Sequence, residues 1–333
     1  ILSFPLLFMR NLARHPIKTL RAFRIERYQR ESLNLKTLYF LEAFTGRHYD
    51  AIHCQFGQNG LIGAYLKDCG FCERLIVTFH GSDITVFPRK THRKVYEYMF
   101  SRVDAVTAGT SFTRRLILAH GCPRKTLHVI PAGIMSERFP SPKDSARLPF
   151  LMLSVGRLEE VKGIEYAVEA FSLIAEEFPE AMYLIVGEGS RRKAIAGQIR
   201  SLGLEDRVLL LGAKRDVEVM EYYARASLLV MPSVRASNGS EEGQGLVIQE
   251  AQISGLPVIA TMTGGIVDGL KHGETGYLVP ERDADAIAER IRELWGDRRL
   301  MSAMSSRAMA FVRSRYDMNA LVNTVIKLYG SGA

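Results

Sequence analysis

The sequence predicts an α/β protein with two Rossmann-like domains, each built around a doubly wound parallel sheet. Three observations support this fold class. The chain has 333 residues, which is enough for two domains of ordinary size. From Tyr49 onward, short apolar runs alternate with segments of helical length. Runs such as 150–155 are apolar at nearly every position, which is typical of parallel strands that are covered on both faces.

The elements follow from this alternation. In the first half, strands are predicted at 51–56, 74–80, 104–108 and 127–130, with helices at 58–68, 89–102 and 111–120. In the second half, strands are predicted at 150–155, 181–186, 207–211, 228–231, 257–261 and 277–279. The helices between and after them are expected near 164–177, 191–202, 217–226, 245–253 and 284–295, and two more within 299–328.

The domain boundary is predicted in 139–149, which contain three prolines and show no apolar periodicity. We therefore expect a first domain in 1–140, a second domain in 150–298 and terminal helices in 299–333. Two such domains would face each other across a central cleft. Because ligands bind at the carboxyl ends of parallel strands, the site is expected in that cleft.

Composition and charge restrict the classes of function. Hydrophobic residues make up 47% and charged residues 24% of the chain, which excludes a wholly disordered or fibrous protein. No apolar run is long enough for a transmembrane helix, and four cysteines are too few for a disulfide scaffold, so a cytoplasmic location is expected. Residues 1–149 carry a net charge of +12 and residues 150–333 one of −4. A nucleic acid, an anionic membrane or a phosphorylated substrate would therefore contact one half only.

Residues 4–30 combine basic and apolar side chains at helical spacing. Wound as a helix, they would form a basic face beside an apolar face, which suits a peripheral helix on the anionic inner surface of a membrane. An ordinary surface helix with a solvated basic side explains the pattern equally well, and two prolines interrupt it. The basic residues are Arg10, Arg14, Lys18, Arg21, Arg24, Arg27 and Arg30.

Two glutamates separated by seven residues form the strongest chemical signal. Glu242 lies in a glycine-rich loop after a predicted strand, and Glu250 lies about a turn and a half into the next helix. Gly243 and Gly245 allow close backbone approach at a helix N-terminus, where free N–H groups attract phosphate. A carboxylate there could accept hydrogen bonds from two sugar hydroxyls. Most glutamate pairs at this spacing are solvated surface acids, but the strand–loop–helix context favours a site.

A second loop, after the first strand of the second half, carries two cations. Arg157 and Lys162 are expected at the carboxyl end of that strand, where they could bind a diphosphate that gains charge as it leaves. The alternative is a loop salt bridge with Glu159 or Glu160.

A histidine ends a strand of the first half. His80, in the segment His80–Asp83, could donate a hydrogen bond to a substrate hydroxyl from the other side of the cleft. The commoner role of a lone histidine at such a place is a capped strand end with a satisfied imidazole.

The remaining signals favour neither metal nor nucleic-acid binding. Cys69 and Cys72 have metal-like spacing, but no second pair of ligands accompanies them. The aromatic residues form no base-stacking stripe, and nucleic-acid binding would explain none of the motifs in the second half. The turn at 187–190 could touch a nucleotide or be a simple tight turn.

Together these motifs resemble glycosyltransferase family 4, the retaining enzymes of the GT-B fold, and most closely the bacterial exopolysaccharide and colanic-acid-type members. The resemblance extends over 49–293 and is more specific in the second half. It implies transfer of a sugar from a UDP- or GDP-linked donor to a saccharide or lipid-linked acceptor, in the synthesis of a cell-surface polysaccharide or glycolipid. The segments that carry it are SVGRLEEVKG (154–163), EGQGLVIQE (242–250), HGSD (80–83) and GLPVIATMTGGIVDGLKHGETGYLVP (255–280).

The resemblance also implies roles for individual residues. Arg157 and Lys162 would bind the diphosphate of the donor, Glu250 its ribose hydroxyls and Glu242 the hydroxyls of its sugar. His80 would reach the sugar from the first domain, and the last helices would cross back onto that domain. No metal would be required, because the two cations neutralise the diphosphate. The backbone of the glycine-rich loop would line the pocket with Gly243, Gln244, Gly245 and Leu246.

Retention of this kind needs no protein nucleophile, because the departing phosphate can take the proton of the acceptor. Two other interpretations stay open. One is a nucleotide-sugar-binding GT-B protein with other chemistry, such as an epimerase. The other is a catalytically impaired partner at a membrane surface.

Three departures from the family pattern bear on these expectations. The usual opening strand and glycine-rich turn are not recognised before Tyr49, so that element is missing from this chain or replaced. Val267 and Asp268 stand where Pro-Glu is common, and only a local effect on the loop is expected. Gln244 stands where many relatives have an aromatic or aliphatic residue, which would alter the sugar pocket.

Overall fold

The computed structural model describes residues 4–28, 36–139 and 150–330, and the chain divides into two compact units. The first unit comprises Ile1–Pro131 together with Val322–Ala333, and the second comprises Ala132–Leu321. The predicted boundary segment starts at Phe139, and the rest of it lies outside the described residues. The chain therefore enters the second unit at Ala132, ahead of that segment.

The first unit contains a sheet of four parallel strands. They pair in sequence order, and each predicted strand is present within two residues of its expected ends. Since the strands are all parallel, their carboxyl ends lie at one edge of the sheet, where the loop that carries His80 begins. The strands are β1 (Tyr49–Gln55), β2 (Cys72–Phe79), β3 (Ala105–Ala108) and β4 (Leu127–Val129).

Nine helices lie in the described part of the first unit before residue 131. The helix predicted at 89–102 is wrong, because the backbone leaves helical geometry at Thr91, where φ is −115° and ψ is −96°. Val95 and Tyr96 then pack into the same core as the next short helix, and this burial overrides helix propensity. The helices are α1 (Phe4–Arg14), α2 (Pro16–Arg21), α3 (Ile25–Tyr28), α4 (Lys36–Phe44), α5 (Gly57–Asp68), α6 (Ser82–Thr85), α7 (Phe87–Lys90), α8 (Glu97–Phe100) and α9 (Ser111–Ala119).

The amino-terminal helices turn several basic side chains toward the protein. Arg10 pairs with Glu42, Lys18 lies 4.2 Å above the ring of Phe71, and Arg21 donates a hydrogen bond to a backbone carbonyl of α5. Arg30 lies outside the described residues. The outward face of α1 and α2 is instead largely apolar. Its most exposed large side chains are Leu6 (54%), Met9 (62%), Ile17 (67%) and Leu20 (60%).

The second unit contains a sheet of six parallel strands, all of them predicted. Its strands are β5 (Leu151–Val155), β6 (Met182–Val186), β7 (Val208–Gly212), β8 (Leu228–Met231), β9 (Val258–Thr261) and β10 (Tyr277–Val279). They lie in the order β10-β9-β8-β5-β6-β7. Met152 packs into one hydrophobic core and its neighbour Leu153 into another. Both faces of the sheet are therefore covered, which explains the apolar run at 150–155.

Helices cover this sheet and end the chain. The helix α15 packs against α13 in the second unit, whereas α16 belongs to the first unit from Val322 onward. None of the described helices combines the length and the hydropathy that crossing a bilayer requires. The helices are α10 (Ile164–Ser172), α11 (Arg192–Ser201), α12 (Asp216–Arg225), α13 (Leu246–Ile253), α14 (Ala284–Gly296), α15 (Arg298–Arg315) and α16 (Met318–Tyr329).

Candidate functional site

Two glycines shape the strand ends at which the candidate donor site forms. Gly156 follows β5 with a φ of +152°, and Gly187 follows β6 with a φ of +147°. A Cβ on Gly187 would lie 1.8 Å from the carbonyl oxygen of Gly156, so only glycine lets these two turns pack together. A cavity of about 440 Å³ opens beside them within the second unit, and its polar lining includes Arg138, Arg157, Glu188, Lys214, Asp216 and Glu250.

Lys162 and Glu242 form an ion pair next to this cavity. Lys162 Nζ contacts Glu242 Oε2, and only 15% and 18% of the two side chains are exposed. Lys162 Cε would lie 3.4 Å from a Cβ built on Gly156, which itself lines the cavity. The structure thus brings Arg157 and Glu250 into one cavity and places the Lys162–Glu242 pair at its edge.

The acidic neighbours of the cationic loop are engaged elsewhere. Glu159 accepts hydrogen bonds from the backbone and hydroxyl of Ser190, and Glu160 accepts the same two bonds from Ser237. These bonds lower the pKa of both carboxyls. Among the described residues, neither acid forms an ion pair with Arg157 or Lys162, so the predicted alternative of a loop salt bridge is wrong.

A Gly-Gly turn holds the backbone of Glu242. The backbone N–H of Gly265 donates to the Glu242 carbonyl at 2.8 Å. Gly264 has a φ of +52°, and a Cβ there would lie 2.3 Å from the same oxygen. Val267 and Asp268 follow in a short 3₁₀ turn. The Gly-Gly pair therefore sets the position from which the Glu242 side chain reaches Lys162.

Glu250 is held by a tyrosine that sequence reasoning missed. The Tyr223 hydroxyl, on α12, donates to Glu250 Oε2 at 2.8 Å. Burial raises the pKa of Glu250, and the hydrogen bond from Tyr223 opposes that rise. Tyr223 is itself buried, which raises its own pKa well above the ordinary value. Nothing in the sequence distinguished Tyr223 from a core residue of an amphipathic helix.

The predicted pocket residue Gln244 turns its amide toward the backbone of Ala132 in the same unit. Its Oε1 accepts from the Ala132 N–H at 2.8 Å, and its Nε2 donates to the Ala132 carbonyl at 3.0 Å. Gln244 is not among the residues that line the cavity. Next to it, Gly245 caps α13 with a φ of +76°, and Leu246 is exposed at the first position of the helix.

In the first unit, His80 lies directly after β2 with its imidazole exposed. Its Nε2 lies 2.8 Å from Gln55 Oε1, and its backbone N–H donates to the carboxylate of Asp83. The imidazole thus has the partner that the commoner role predicts, and its Nδ1 forms no hydrogen bond with the residues that the structure describes.

The cysteine pair shows no sign of metal ligation. Cys69 and Cys72 are buried, and burial raises the pKa of each thiol to about 11. Within the described ranges, no group of three or more histidine, cysteine or acidic side chains is arranged to hold a metal ion.

Comparison with protein families identifies the chain. Residues 136–311 match the family model of glycosyl transferases group 1, and residues 7–138 match that of Glycosyltransferase Family 4. The chain belongs to the group 1 glycosyltransferases. It is 32% identical over 285 residues to the putative colanic acid biosynthesis glycosyltransferase WcaL of Escherichia coli, covering 83% of this chain and 69% of WcaL. It is 30% identical to the amylovoran biosynthesis glycosyltransferase AmsK of Erwinia amylovora, with 81% and 67% covered.

Solved structures show the same fold. HepE of Anabaena, solved in complex with UDP and glucose, matches with a TM-score of 0.75 at 21% identity, covering 90% of this glycosyltransferase and 81% of HepE. Sucrose-phosphate synthase of Thermosynechococcus elongatus matches with a TM-score of 0.76 at 26% identity, with 92% and 79% covered. The predicted GT-B fold and the predicted transferase activity are confirmed.

Proposed function

We propose that this glycosyltransferase moves a sugar from a UDP- or GDP-linked donor to a saccharide or lipid-linked acceptor, with retention, in exopolysaccharide synthesis. The observation that carries the proposal is the cavity of the second unit, where Arg157 and Glu250 lie beside the Lys162–Glu242 pair. The named roles of WcaL and AmsK support the pathway class, and the UDP and glucose bound to HepE support the donor class.

Glu250 and Arg157 would divide the binding of the nucleotide. Tyr223 donates to Oε2 of Glu250, and Oε1, which has no hydrogen bond among the described residues, would accept from ribose hydroxyls. Arg157 is exposed at the wall of the same cavity, where its guanidinium can bind phosphate oxygens in a bidentate manner. Gly156 and Gly187 leave room for the diphosphate to approach the backbone.

Lys162 and Glu242 would act on the bond that breaks. As the glycosyl–phosphate bond lengthens, negative charge grows on the diphosphate, and Lys162 stabilises it together with Arg157. Glu242 Oε2 orients the ammonium group, while Oε1 can accept a hydroxyl of the sugar. The departing phosphate takes the proton of the attacking acceptor hydroxyl on the same face, so the chemistry needs neither a protein nucleophile nor a metal.

His80 and the glycine-rich loop would complete the contacts to the sugar. His80 would bind a sugar hydroxyl through its imidazole. Gly245 and Leu246 lie at the start of α13, where the positive end of the helix dipole favours an anionic ligand, and Gly243 precedes them in the loop.

A membrane contact would bring the enzyme to a lipid-linked acceptor. The outward face of α1 and α2 exposes four large apolar side chains, and the exposed Arg14 and Arg24 lie on the same segment. An apolar face with flanking cations suits the interface of an anionic bilayer. We therefore propose that the enzyme docks peripherally through this face.

The donor assignment is tested by calorimetry with UDP and GDP. We expect one of the two nucleotides to bind, and Glu250→Ala to raise its Kd at least tenfold. The substitution removes the carboxylate acceptor and leaves the buried ribose hydroxyls without a hydrogen-bond partner. The matched control is Glu176→Ala, which removes an exposed glutamate of the same unit. If neither nucleotide binds, or if both variants bind like the wild type, the assignment is wrong.

A further inference from the structure

Two strand ends of the first unit meet at the exposed imidazole of His80. Gln55 is the last residue of β1 and Phe56 follows it, while His80 directly follows β2. Gln55 Oε1 lies 2.8 Å from His80 Nε2, and the centroid of the Phe56 ring lies 4.6 Å from that of the imidazole. The imidazole ring and one of its nitrogens are therefore contacted by two adjacent residues at the end of β1.

The backbone at Phe56 is held in a conformation that only a specific environment maintains. Phe56 has a φ of +70°, and it is one of two non-glycine residues with positive φ in the described part of the chain. Such a conformation costs on the order of 1–3 kcal/mol and concentrates at functional sites. Here the strain directs the ring of Phe56 to His80.

A buried carboxylate ties the two strand ends together. Asp83 is fully buried. Its Oδ2 accepts from the backbone N–H of Gly57 at 2.9 Å, and its Oδ1 accepts from those of Gly81 and His80 at 2.8 and 3.1 Å. Since these donors follow both strands, the distance between Gln55 and His80 is set by the backbone and does not depend on the side chains alone.

A chain of hydrogen bonds surrounds the amide of Gln55. Gln55 Nε2, which can only donate, lies 3.3 Å from His53 Nε2, and the hydroxyl of Thr78 lies 2.7 Å from the same imidazole nitrogen. Burial lowers the pKa of His53. On its other side, His53 Nδ1 lies 2.8 Å from the hydroxyl of Tyr329. Gln55 Oε1 then faces His80, whose Nε2 must donate.

We propose that Gln55 and Phe56 are positioning residues that hold the His80 imidazole in the Nε2–H tautomer and present Nδ1 as an acceptor to a hydroxyl of the transferred sugar. The inference rests on the proposed function, in which His80 contacts the sugar. It assigns to His80 the role of acceptor, whereas the sequence suggested a donor. Gln55 positions His80 through its acceptor oxygen. A glutamate at this position, which only accepts, should therefore preserve the Nε2–H tautomer of His80, and a lysine, which only donates, should reverse it.

The experiment compares Gln55→Glu, Gln55→Met and Gln55→Lys in the full chain. The ¹⁵N shifts of the His80 ring, assigned with His80→Ala, report the tautomer. In parallel, kcat and KM for release of UDP or GDP are measured with the sugar nucleotide that the wild type turns over fastest. The matched control is Gln58→Lys, since Gln58 lies nearby in the first turn of α5 and forms no hydrogen bond to His80 among the described residues.

We expect a single Nε2–H tautomer in the wild type and in Gln55→Glu, a mixture in Gln55→Met and mainly Nδ1–H in Gln55→Lys. Loss of one hydrogen bond should lower kcat about tenfold in Gln55→Met, with a larger loss in Gln55→Lys and little change in the KM for the donor. Gln55→Glu should restore kcat to within about threefold of the wild type.

Two outcomes overturn the inference. An Nδ1–H tautomer in the wild type, or one that no substitution of Gln55 alters, shows that Gln55 does not set the proton. A tautomer that shifts while kcat stays constant, although His80→Ala abolishes activity, shows that the proton position is irrelevant to turnover. Full activity of His80→Ala, by contrast, refutes the proposed role of His80, and the tautomer data remain valid without it.

Discussion

Replacing Tyr223 with phenylalanine removes one oxygen atom and tests how Glu250 is held for the nucleotide. The hydroxyl donates to Glu250 Oε2 at 2.8 Å, and Tyr223 is only 1% exposed, so water cannot easily replace it. A hydrogen bond to a charged group contributes about 1.5–3 kcal/mol, and about 1.4 kcal/mol corresponds to a factor of ten in affinity. We expect the Kd for the preferred nucleotide to rise about 10- to 100-fold in Tyr223→Phe, measured by calorimetry.

The pH dependence of binding gives this prediction a second readout. Burial raises the pKa of Glu250, and the hydrogen bond from Tyr223 limits the rise. Because the ionised carboxylate is the form that accepts ribose hydroxyls, affinity falls as the pH decreases through this raised pKa. Without the Tyr223 hydroxyl the pKa of Glu250 rises further, so the loss of affinity should begin at a higher pH in the variant.

The control for Tyr223→Phe is the adjacent tyrosine. Tyr222 packs against the same hydrophobic core but forms no hydrogen bond to Glu250, so Tyr222→Phe should leave the Kd and its pH profile unchanged. Equal affinities of wild type and Tyr223→Phe across the acidic range would refute the argument that the hydroxyl orients Glu250.

Three further predictions address the diphosphate, the Gly-Gly turn and the membrane face. Lys162→Met should lower kcat by about 10²–10³, measured as release of nucleotide, because the cation acts mainly on charge that develops in the transition state. Gly264→Ala should destabilise the second unit by about 1–3 kcal/mol in thermal unfolding, since its φ is +52° and its new Cβ would lie 2.3 Å from the Glu242 carbonyl. Leu20→Asp should reduce co-sedimentation with vesicles that contain anionic lipid, because it places a charge on the apolar face of α2.

Each of these substitutions has a matched control. Lys193→Met removes an exposed lysine of the same unit, and a comparable loss of kcat there would remove the support for Lys162. Gly273 also has positive φ, at +74°, but a Cβ there meets nothing within 4 Å, so Gly273→Ala should cost less than Gly264→Ala. Leu173→Asp changes an exposed leucine of the second unit, and equal losses of vesicle binding would argue against a specific membrane face.

The sheets were predictable because parallel strands leave a strong local signal. The run 150–155 is apolar at nearly every position since its residues enter cores on both sides of β5. The segment 89–102 misled the prediction because its helical pattern is short and its path is set by burial of Val95 and Tyr96, which are contacts distant in sequence. Helix breaks of this kind depend on the completed core.

The candidate site was predictable only where its residues lie in or next to a glycine-rich loop. Glu242 and Glu250 could be selected because a glycine-rich loop precedes a helix after a buried strand. Tyr223 could not be selected, because its hydrogen bond to Glu250 joins residues 27 positions apart on two different helices. One sequence does not show that these helices pack together. The same holds for Gln55, which meets His80 across two parallel strands.

The amide of Gln244 forms both of its hydrogen bonds with the backbone of a single residue, Ala132. Ala132 is where the polypeptide enters the second unit, and Gln244 lies two positions after Glu242. Any rotation of the main chain at Ala132 must therefore either break both hydrogen bonds or move the loop that carries Glu242. The torsion angles of Ala132 and the position of the loop that carries Glu242 are thus mechanically linked through one side chain.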